Sequence, residues 1–513
     1  MLDGPKDVDR KVIPRWRSLL RTSKIEFQAL QPLGSRPDGL LLEAAEVTKT
    51  WQQQQTLPHA MELISLRPLV GDTAEIFDAA SLILNSSSAP HPLKQMAARI
   101  LIKEEDHVEE RSINEGIKRW RQLVRENPRN VFAHVELARE WSSIGEADKA
   151  AKTFKVALSL APANRFVLRS ATRFLVHQGK LDGAWAMLRD QAKTDPWIAA
   201  ALISVAQMGK LPTPKFRDIE SLIEVVDNPH HTTELSAALA TLELEAGSMK
   251  RARRLFKESS KAPNDNVVAQ LEWASKHHGI VFDRSLLAQD LAYEAQAADR
   301  IEAEDWNAAV AACELWLKDE PFSSRPAYEG SFVAGELMDD PARAVNFVKR
   351  GLIANPHDSG LYNNLAFFQA AKGDLKEARI NISAARRHAS DSESLVPITA
   401  TLGFIEYRTG NSEGGAKLYL DAIEQAKKLK MQSAVQLGYI HLLAEEIRFG
   451  HNVVTNEELG KLRSLFSDAK IEPIIQAIFR KNIEKPLLER LERDSVQVAL
   501  QDVFSQTIEL LKL

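Results

Sequence analysis

A spacing of 34 residues recurs along this chain of 513 residues, and it limits the folds that the chain can adopt more than any other feature. Pro128, Pro162 and Pro196 follow one another at this interval, and Pro229 and Pro263 form a further pair. The interval also separates residues of other types, namely Gly145 and Gly179, and Trp120, Phe154 and Leu188. Several residue types that share one long period indicate a repeated supersecondary unit.

Each repeat has the pattern of two amphipathic helices of about a dozen residues, joined by a glycine turn. Residues 131–164 show this most clearly, with a turn at Gly145 and a closing Pro162 that ends the second helix. The apolar faces consist of Leu137, Ala138 and Trp141 in the first helix and Ala150, Phe154 and Ala157 in the second. One hairpin cannot bury both faces, so stacked neighbours form the unit of stability.

These residues resemble the tetratricopeptide repeat (TPR), whose unit has a small residue after a leucine in its first helix, alanines and an aromatic in its second, and a closing proline. Residues 131–164, 165–198 and 359–390 match this pattern best, and we count six to eight units between Glu109 and Lys428. The resemblance implies an all-α fold, a TPR-type right-handed α-solenoid of helix-turn-helix repeats with helical N- and C-terminal caps. This fold serves many unrelated functions.

The sequence predicts five regions. They are a helical N-terminal region of divergent repeats or a cap (1–92), a first TPR array (93–264), an irregular helical break (265–300), a second TPR array (301–428) and a C-terminal helical cap (429–513). A run rich in Pro, Ser and Asn before residue 92 indicates a linker. The C-terminal region either caps the last apolar face or mediates oligomerisation, and the sequence does not predict the oligomeric state.

Composition gives few hints about partners. The 66 basic and 70 acidic residues leave a net charge of −4, so we expect no electrostatic hold on nucleic acid along the whole chain. Cys313 is the single cysteine, which excludes an intrachain disulfide. The first residues lack the apolar run of a secretory signal, and the longest apolar stretch has about a dozen residues where a membrane span needs roughly 20. We expect a cytoplasmic protein without a membrane segment.

No sequence motif predicts catalysis, a metal site or a cofactor. The GxxxxGK[ST], GxGxxG and GxSxG patterns do not occur in the sequence. The pairs His230–His231 and His277–His278 lack the HExxH arrangement that places two ligands on one helix face. Cys313 lies where a small apolar residue packs, so we expect it to be buried. An enzyme within one of the end regions remains an alternative that a convergent polar pocket would support.

The resemblance also suggests a binding site, because the first helices of such repeats line the concave surface. Arg139 and Arg173 occupy equivalent positions one repeat apart, and Arg169 lies one turn before Arg173. Guanidinium groups bind carboxylates in a bidentate manner, and Phe132 and Phe166 offer apolar contact at equivalent early positions. We therefore expect an acidic or C-terminal peptide to bind here; the alternative is scattered surface charge.

A second candidate lies in the later array. Asn363 and Asn364 occupy the corresponding helix face next to Phe367, a combination that suits hydrogen bonding to an extended peptide. Structural asparagines are the alternative. Val135 and Arg139 depart from the carboxylate-clamp pattern of the family, which has lysine and asparagine at these places, so we do not expect a chaperone-tail clamp.

The most favoured function is a non-catalytic protein–protein interaction scaffold or adaptor that binds a partner protein or peptide in its concave groove. By analogy of fold, such scaffolds commonly act beside a separately encoded effector, for instance in bacterial regulatory or phage-defence operons. A helical-repeat protein that binds nucleic acid is the alternative, and a basic concave surface would be its sign.

Overall fold

The computed structural model describes residues 12–18, 46–65, 67, 73–101, 113–213, 216–226, 228–449 and 473–484. Contacts between them define two compact units. Of the described residues, those from 12 to 141 and from 147 to 267 belong to the N-terminal unit, and those from 142 to 146 and from 268 to 484 belong to the C-terminal unit. Much of the predicted N-terminal region and most of the predicted C-terminal cap lie outside the described residues. The five predicted regions remain a prediction.

The described residues of the N-terminal unit are mostly helical. Residues 46–53 are helical, and they are followed by α1 (Leu57–Ser65), α2 (Ala74–Asn85), α3 (His91–Leu101), α4 (Ile113–Glu126), α5 (Val131–Ser143), α6 (Ala147–Leu160), α7 (Arg165–His177), α8 (Leu181–Leu188), α9 (Pro196–Gly209), α10 (Phe216–Val225), α11 (Pro229–Glu245) and α12 (Met249–Ser259). A loop joins α2 to α3 in the run predicted to be a linker. Helix α13 (Asp265–His278) begins in this unit.

The period of 34 residues corresponds to recurring helix caps. Asn130 Oδ1 accepts a hydrogen bond from the Ala133 amide at 3.0 Å, and Asn164, 34 residues later, caps α7 through the Val167 amide at 3.2 Å. The predicted turn at Gly179 has a positive φ of 67°, and the Lys180 amide donates back to the Leu175 carbonyl, which closes α7. The repeated caps fix where each helix begins and ends.

Consecutive helices of the N-terminal unit pack as hairpins. Helix α7 contacts α8, α9 contacts α10, and α11 contacts α12, while the first helices also contact one another from α7 to α9 and from α9 to α11. The first helices are therefore covered on most sides: the eleven residues from Pro196 to Ala206 of α9 are all buried. A helix surrounded in this way contributes polar as well as apolar side chains to the interior.

The C-terminal unit repeats the arrangement. Its helices are α14 (Tyr293–Glu302), α15 (Trp306–Asp319), α16 (Arg325–Phe332), α17 (Pro341–Ala354), α18 (Ser359–Lys372), α19 (Leu375–His388), α20 (Ser392–Arg408), α21 (Ser412–Lys428), α22 (Gln432–Phe449) and α23 (Pro473–Phe479). Hairpins pair α14 with α15, α16 with α17, α18 with α19, and α20 with α21. No strand occurs within the described ranges. The predicted all-α fold of TPR-type repeats is confirmed.

Two short π-helical turns interrupt the C-terminal unit. One, Val333–Leu337, extends α16, and the other, Arg480–Glu484, extends α23. Turns of this kind often accompany functional sites, because the widened turn frees backbone groups. Cys313 is buried in the core of this unit, and burial raises the pKa of its thiol well above the ordinary value. This agrees with the packing role expected for Cys313.

Candidate functional site

An extended piece of the chain's own N-terminal part, residues 12–18 (the N-terminal segment), is bound within the N-terminal unit. It forms neither helix nor strand. Even so, Val12, Trp16 and Arg17 are buried, and Trp16 is 0% exposed. Side chains from several helices surround it. A short segment without regular structure is therefore held by specific side-chain contacts, much as a bound peptide would be.

The indole of Trp16 lies against two phenylalanines. Its ring centroid is 5.0 Å from that of Phe154 on α6 and 6.3 Å from that of Phe174 on α7, and the two phenylalanine rings are themselves 5.3 Å apart. Arg139 on α5 donates from Nε to the Trp16 carbonyl oxygen at 3.2 Å. The aromatic pair and Arg139 thus hold both the side chain and the backbone of one residue.

The carboxylate of Asp265 forms ion pairs with both arginines of the segment. Arg17 donates to the two oxygens of Asp265 at 3.0 and 2.6 Å, and Arg15 Nε lies 3.1 Å from Asp265 Oδ2. All three side chains are buried. A bidentate pair in such surroundings is geometrically selective. We call Arg139, Phe154, Phe174 and Asp265 the segment site.

The three predicted arginines of the N-terminal unit are buried. Arg139 contacts the N-terminal segment as described. Arg169 donates to both oxygens of Glu234 at 2.6 and 3.0 Å, and its guanidinium lies 4.5 Å from the centroid of Trp197. Arg173 is also buried. Arg169 is therefore paired with a carboxylate of its own chain. Binding of a partner carboxylate by the three arginines stays a prediction.

Glu234 on α11 is the centre of a polar network that the sequence analysis missed. Besides Arg169, its Oε1 accepts from Asn264 Nδ2 at 2.8 Å and from Asn266 Nδ2 at 3.2 Å. The residue is 1% exposed. Four donors compensate for the burial of the carboxylate, as a buried charge requires.

The two predicted phenylalanines do meet. The ring centroids of Phe132 and Phe166 are 5.6 Å apart, and Phe132 is 40% exposed while Phe166 is buried. Phe132 precedes Arg139 by seven residues on α5, and Phe166 precedes Arg173 by seven on α7, so each pair lies on one helix face. An exposed aromatic contact therefore lies on the helix face that carries Arg139 of the segment site, about 10 Å away along the α5 axis.

The predicted residues of the C-terminal unit are likewise interior. Asn363 and Asn364 are fully buried, and Asn363 Nδ2 donates to Asn364 Oδ1 at 3.4 Å. Phe367 stacks on Phe404 with centroids 4.6 Å apart and meets the edge of His441 at 5.6 Å. Phe367 borders a pocket; the role of the two asparagines in partner binding stays a prediction.

That pocket has a volume of about 260 Å³ and lies between the two π-helical turns. Lys481 Nζ donates to the carbonyl oxygens of Gly335 and Glu336 at 3.2 and 2.6 Å, and Asn482 Nδ2 donates to Glu336 Oε1 at 2.8 Å. His441 Nε2 is 3.7 Å from the same oxygen. In a continuous α-helix these two carbonyl oxygens would accept hydrogen bonds from backbone amides of the next turn. Here they accept hydrogen bonds from Lys481 instead.

Glu445 on α22 lies on another wall of the pocket. Its Oε1 is 3.0 Å from Arg408 and 3.2 Å from Arg448, while its Oε2 has no hydrogen-bond partner among the described residues. Burial raises the pKa of this carboxyl group despite the two arginines. The pocket joins polar groups of both signs to an aromatic pair. Within the described ranges, no cluster of His, Cys, Asp or Glu could hold a metal ion.

His441 should make the stability of the protein depend on pH. Burial lowers the pKa of its imidazole from 6.5 to about 4, although the Glu336 carboxylate favours the charged form. Between these values the unfolded chain binds a proton that the folded chain does not, so the stability present above pH 6.5 falls as the pH approaches 4. This contribution amounts to about 3 kcal/mol. Urea unfolding at several pH values should show a flatter profile for His441→Gln; an unchanged slope would contradict the assignment.

Known structures of helical-repeat proteins are similar to this chain in fold. They include human IFIT1 bound to PPP-AAAA (16% identity, 74% of this chain and 95% of that chain, TM-score 0.34) and the Cut9–Hcn1 hetero-tetramer of the APC/C (13%, 95% and 98%, TM-score 0.37). Yeast Tom70 is a third (10%, 89% and 97%, TM-score 0.33). No protein-family model and no curated protein matches the chain. None of the described helices is long and apolar enough to cross a membrane.

Proposed function

We propose that this protein is a non-catalytic interaction scaffold, and that its N-terminal unit binds an extended segment of a partner protein along the first helices of its repeats. The observation that carries the proposal is the bound state of residues 12–18. An extended piece of chain is held there through an aromatic pair from α6 and α7, an arginine–carbonyl hydrogen bond from α5 and a bidentate ion pair from α13. These are the contacts by which repeat proteins and peptide receptors bind extended ligands.

The contact between the exposed Phe132 and the buried Phe166 supports the same proposal. It lies on the faces of α5 and α7 that carry Arg139 and Arg173, one heptad towards the helix N-termini. Aromatic residues on such faces commonly dominate the affinity for a partner, because they bury a large area at little entropic cost. We propose that the part of the partner beyond the segment site contacts Phe132 and Phe166.

Photo-cross-linking tests the proposal with a closely matched control. A photoreactive phenylalanine derivative is placed at Phe132 on the first helix of its hairpin, or at Val156 on the second, which are 40% and 41% exposed. In the native host, we expect position 132 to give a discrete cross-linked protein and position 156 to give little. Equal or stronger cross-linking at position 156 would contradict the placement, and removal of the product by nuclease would favour the nucleic-acid alternative.

A further inference from the structure

We infer that the segment site recognises a partner segment in which an aromatic residue stands between two basic residues, and that the chain's own Arg15-Trp16-Arg17 is the competitor which such a partner displaces. This inference rests on the proposed function, since it names the chemistry of the partner at the same site. The contacts of the N-terminal segment determine each position of the pattern.

The central position requires a large aromatic side chain. Trp16 is fully buried against Phe154 and Phe174, a place that an aliphatic residue would fill incompletely. Because Arg139 donates to its backbone carbonyl, the residue must also present an accessible backbone, which an extended strand does and a helix does not. A buried tryptophan of this kind is the typical energetic centre of a peptide interface.

The flanking positions require positive charge. Arg15 and Arg17 are two residues apart, so in an extended chain they leave the backbone on the same side, and both reach Asp265. An acidic residue at either place would bring two carboxylates together in a buried setting. The ligand chemistry is thus opposite to the acidic peptide expected from Arg139, Arg169 and Arg173. Glu234 neutralises Arg169, and Arg139 binds a backbone carbonyl.

The segment and its site belong to one chain, so a partner segment must compete with residues 12–18 for the site. A ligand that belongs to the same chain as its site binds intramolecularly, so a free ligand must compete with its effective concentration. A free peptide of the same sequence therefore binds poorly while residues 12–18 are seated. Substitutions that weaken the contacts of residues 12–18 with the segment site should allow an external segment to bind there.

Fluorescence anisotropy with a labelled, acetylated and amidated peptide of residues 12–18 tests the inference. The proteins are the full-length parent and the full-length double variant Trp16→Ala/Arg17→Ala, called the open variant. We expect the peptide to bind the open variant with a Kd lower than that for the parent by roughly tenfold or more. Equal binding to both proteins, or binding to neither, would overturn the inference.

A charge exchange then tests the pattern itself. A peptide carrying Arg15→Glu and Arg17→Glu should bind the open variant roughly tenfold or more weakly than the original peptide. Adding Asp265→Lys to the open variant should reverse this preference, while an acidic peptide that binds as well as the original would overturn the assignment.

Two controls keep the outcomes distinct. Circular dichroism checks that the open variant is folded; if it is not, full-length Arg17→Ala replaces it, with a smaller gain in affinity expected. Light scattering checks for exchange of segments between copies, and a parent dimer that becomes monomeric in the open variant would overturn the competition within one chain. If the peptide fails while Phe132 still cross-links a host protein, the proposed function stands and this inference falls.

Discussion

Replacement of Glu234 by alanine is expected to lower the free energy of unfolding by about 3–5 kcal/mol. The carboxylate is 1% exposed and accepts hydrogen bonds from Arg169, Asn264 and Asn266. Its removal leaves the Arg169 guanidinium buried without its counter-charge, and it leaves two amide groups without their acceptor. Chemical denaturation of the full-length protein, followed by circular dichroism, measures the loss.

Glu220 provides a matched control. It also binds two arginines, Arg251 and Arg254, each at 2.7 Å, but these arginines are 41% and 62% exposed. Solvent screens such pairs, so Glu220→Ala should cost less than about 1 kcal/mol. Comparable losses for the two variants would show that burial does not govern the contribution of these carboxylates. Replacing Arg169 with an acidic residue is a poor test of partner binding, because the substitution would place a second carboxylate against the buried Glu234.

The second large effect is expected at Phe368, where replacement by alanine should cost about 3–5 kcal/mol. The side chain is buried in the core of the C-terminal unit, with its ring centroid 5.5 Å from that of Phe367. It also packs against Gly335 in the π-helical turn, where an added Cβ would lie only 2.1 Å from Phe368 Cε1. Thermal and chemical unfolding of Phe368→Ala measure the cost.

Gly335→Ala should reveal the same contact from the other side. In the parent it overpacks the interface with Phe368, at a cost of about 1–3 kcal/mol. In the Phe368→Ala background the added methyl group enters the vacated space, so the second substitution should cost little or restore stability. Additive losses in this double-mutant cycle would contradict the close approach of α16 and α18 at this glycine.

What the sequence could predict follows from its local periodicity. The 34-residue spacing located the hairpins and the turn at Gly179. Helix caps and turns with a positive φ depend on residues within a few positions of one another, so the local sequence indicates them. The same spacing brought Phe132 and Phe166 together, since equivalent positions of adjacent repeats lie side by side. Properties that repeat along the chain are therefore accessible to sequence reasoning.

Properties that do not repeat were inaccessible. Arg169 lies on the expected helix, but its partner Glu234 is 65 residues away, and no period connects them. Burial of the arginine therefore depends on a tertiary contact that local patterns do not encode. Trp16 lies in a stretch without periodicity, and its only local signals are the preceding Pro14 and the two flanking arginines. Lys481 and His441 enter one pocket from distant parts of the chain.

The Glu234 network changes how the N-terminal unit should melt. In most repeat arrays each hairpin contacts only its neighbours, so the end repeats can unravel independently of the rest. Here Glu234 on α11 binds Arg169 on α7, beyond the intervening hairpin of α9 and α10, and Asp265 binds Arg15 and Arg17 from the start of the chain. Opening α13 or α11 therefore breaks bonds that reach α7 and the N-terminal segment. Helices α5 to α13 should behave as a single cooperative block rather than as a chain of separable modules.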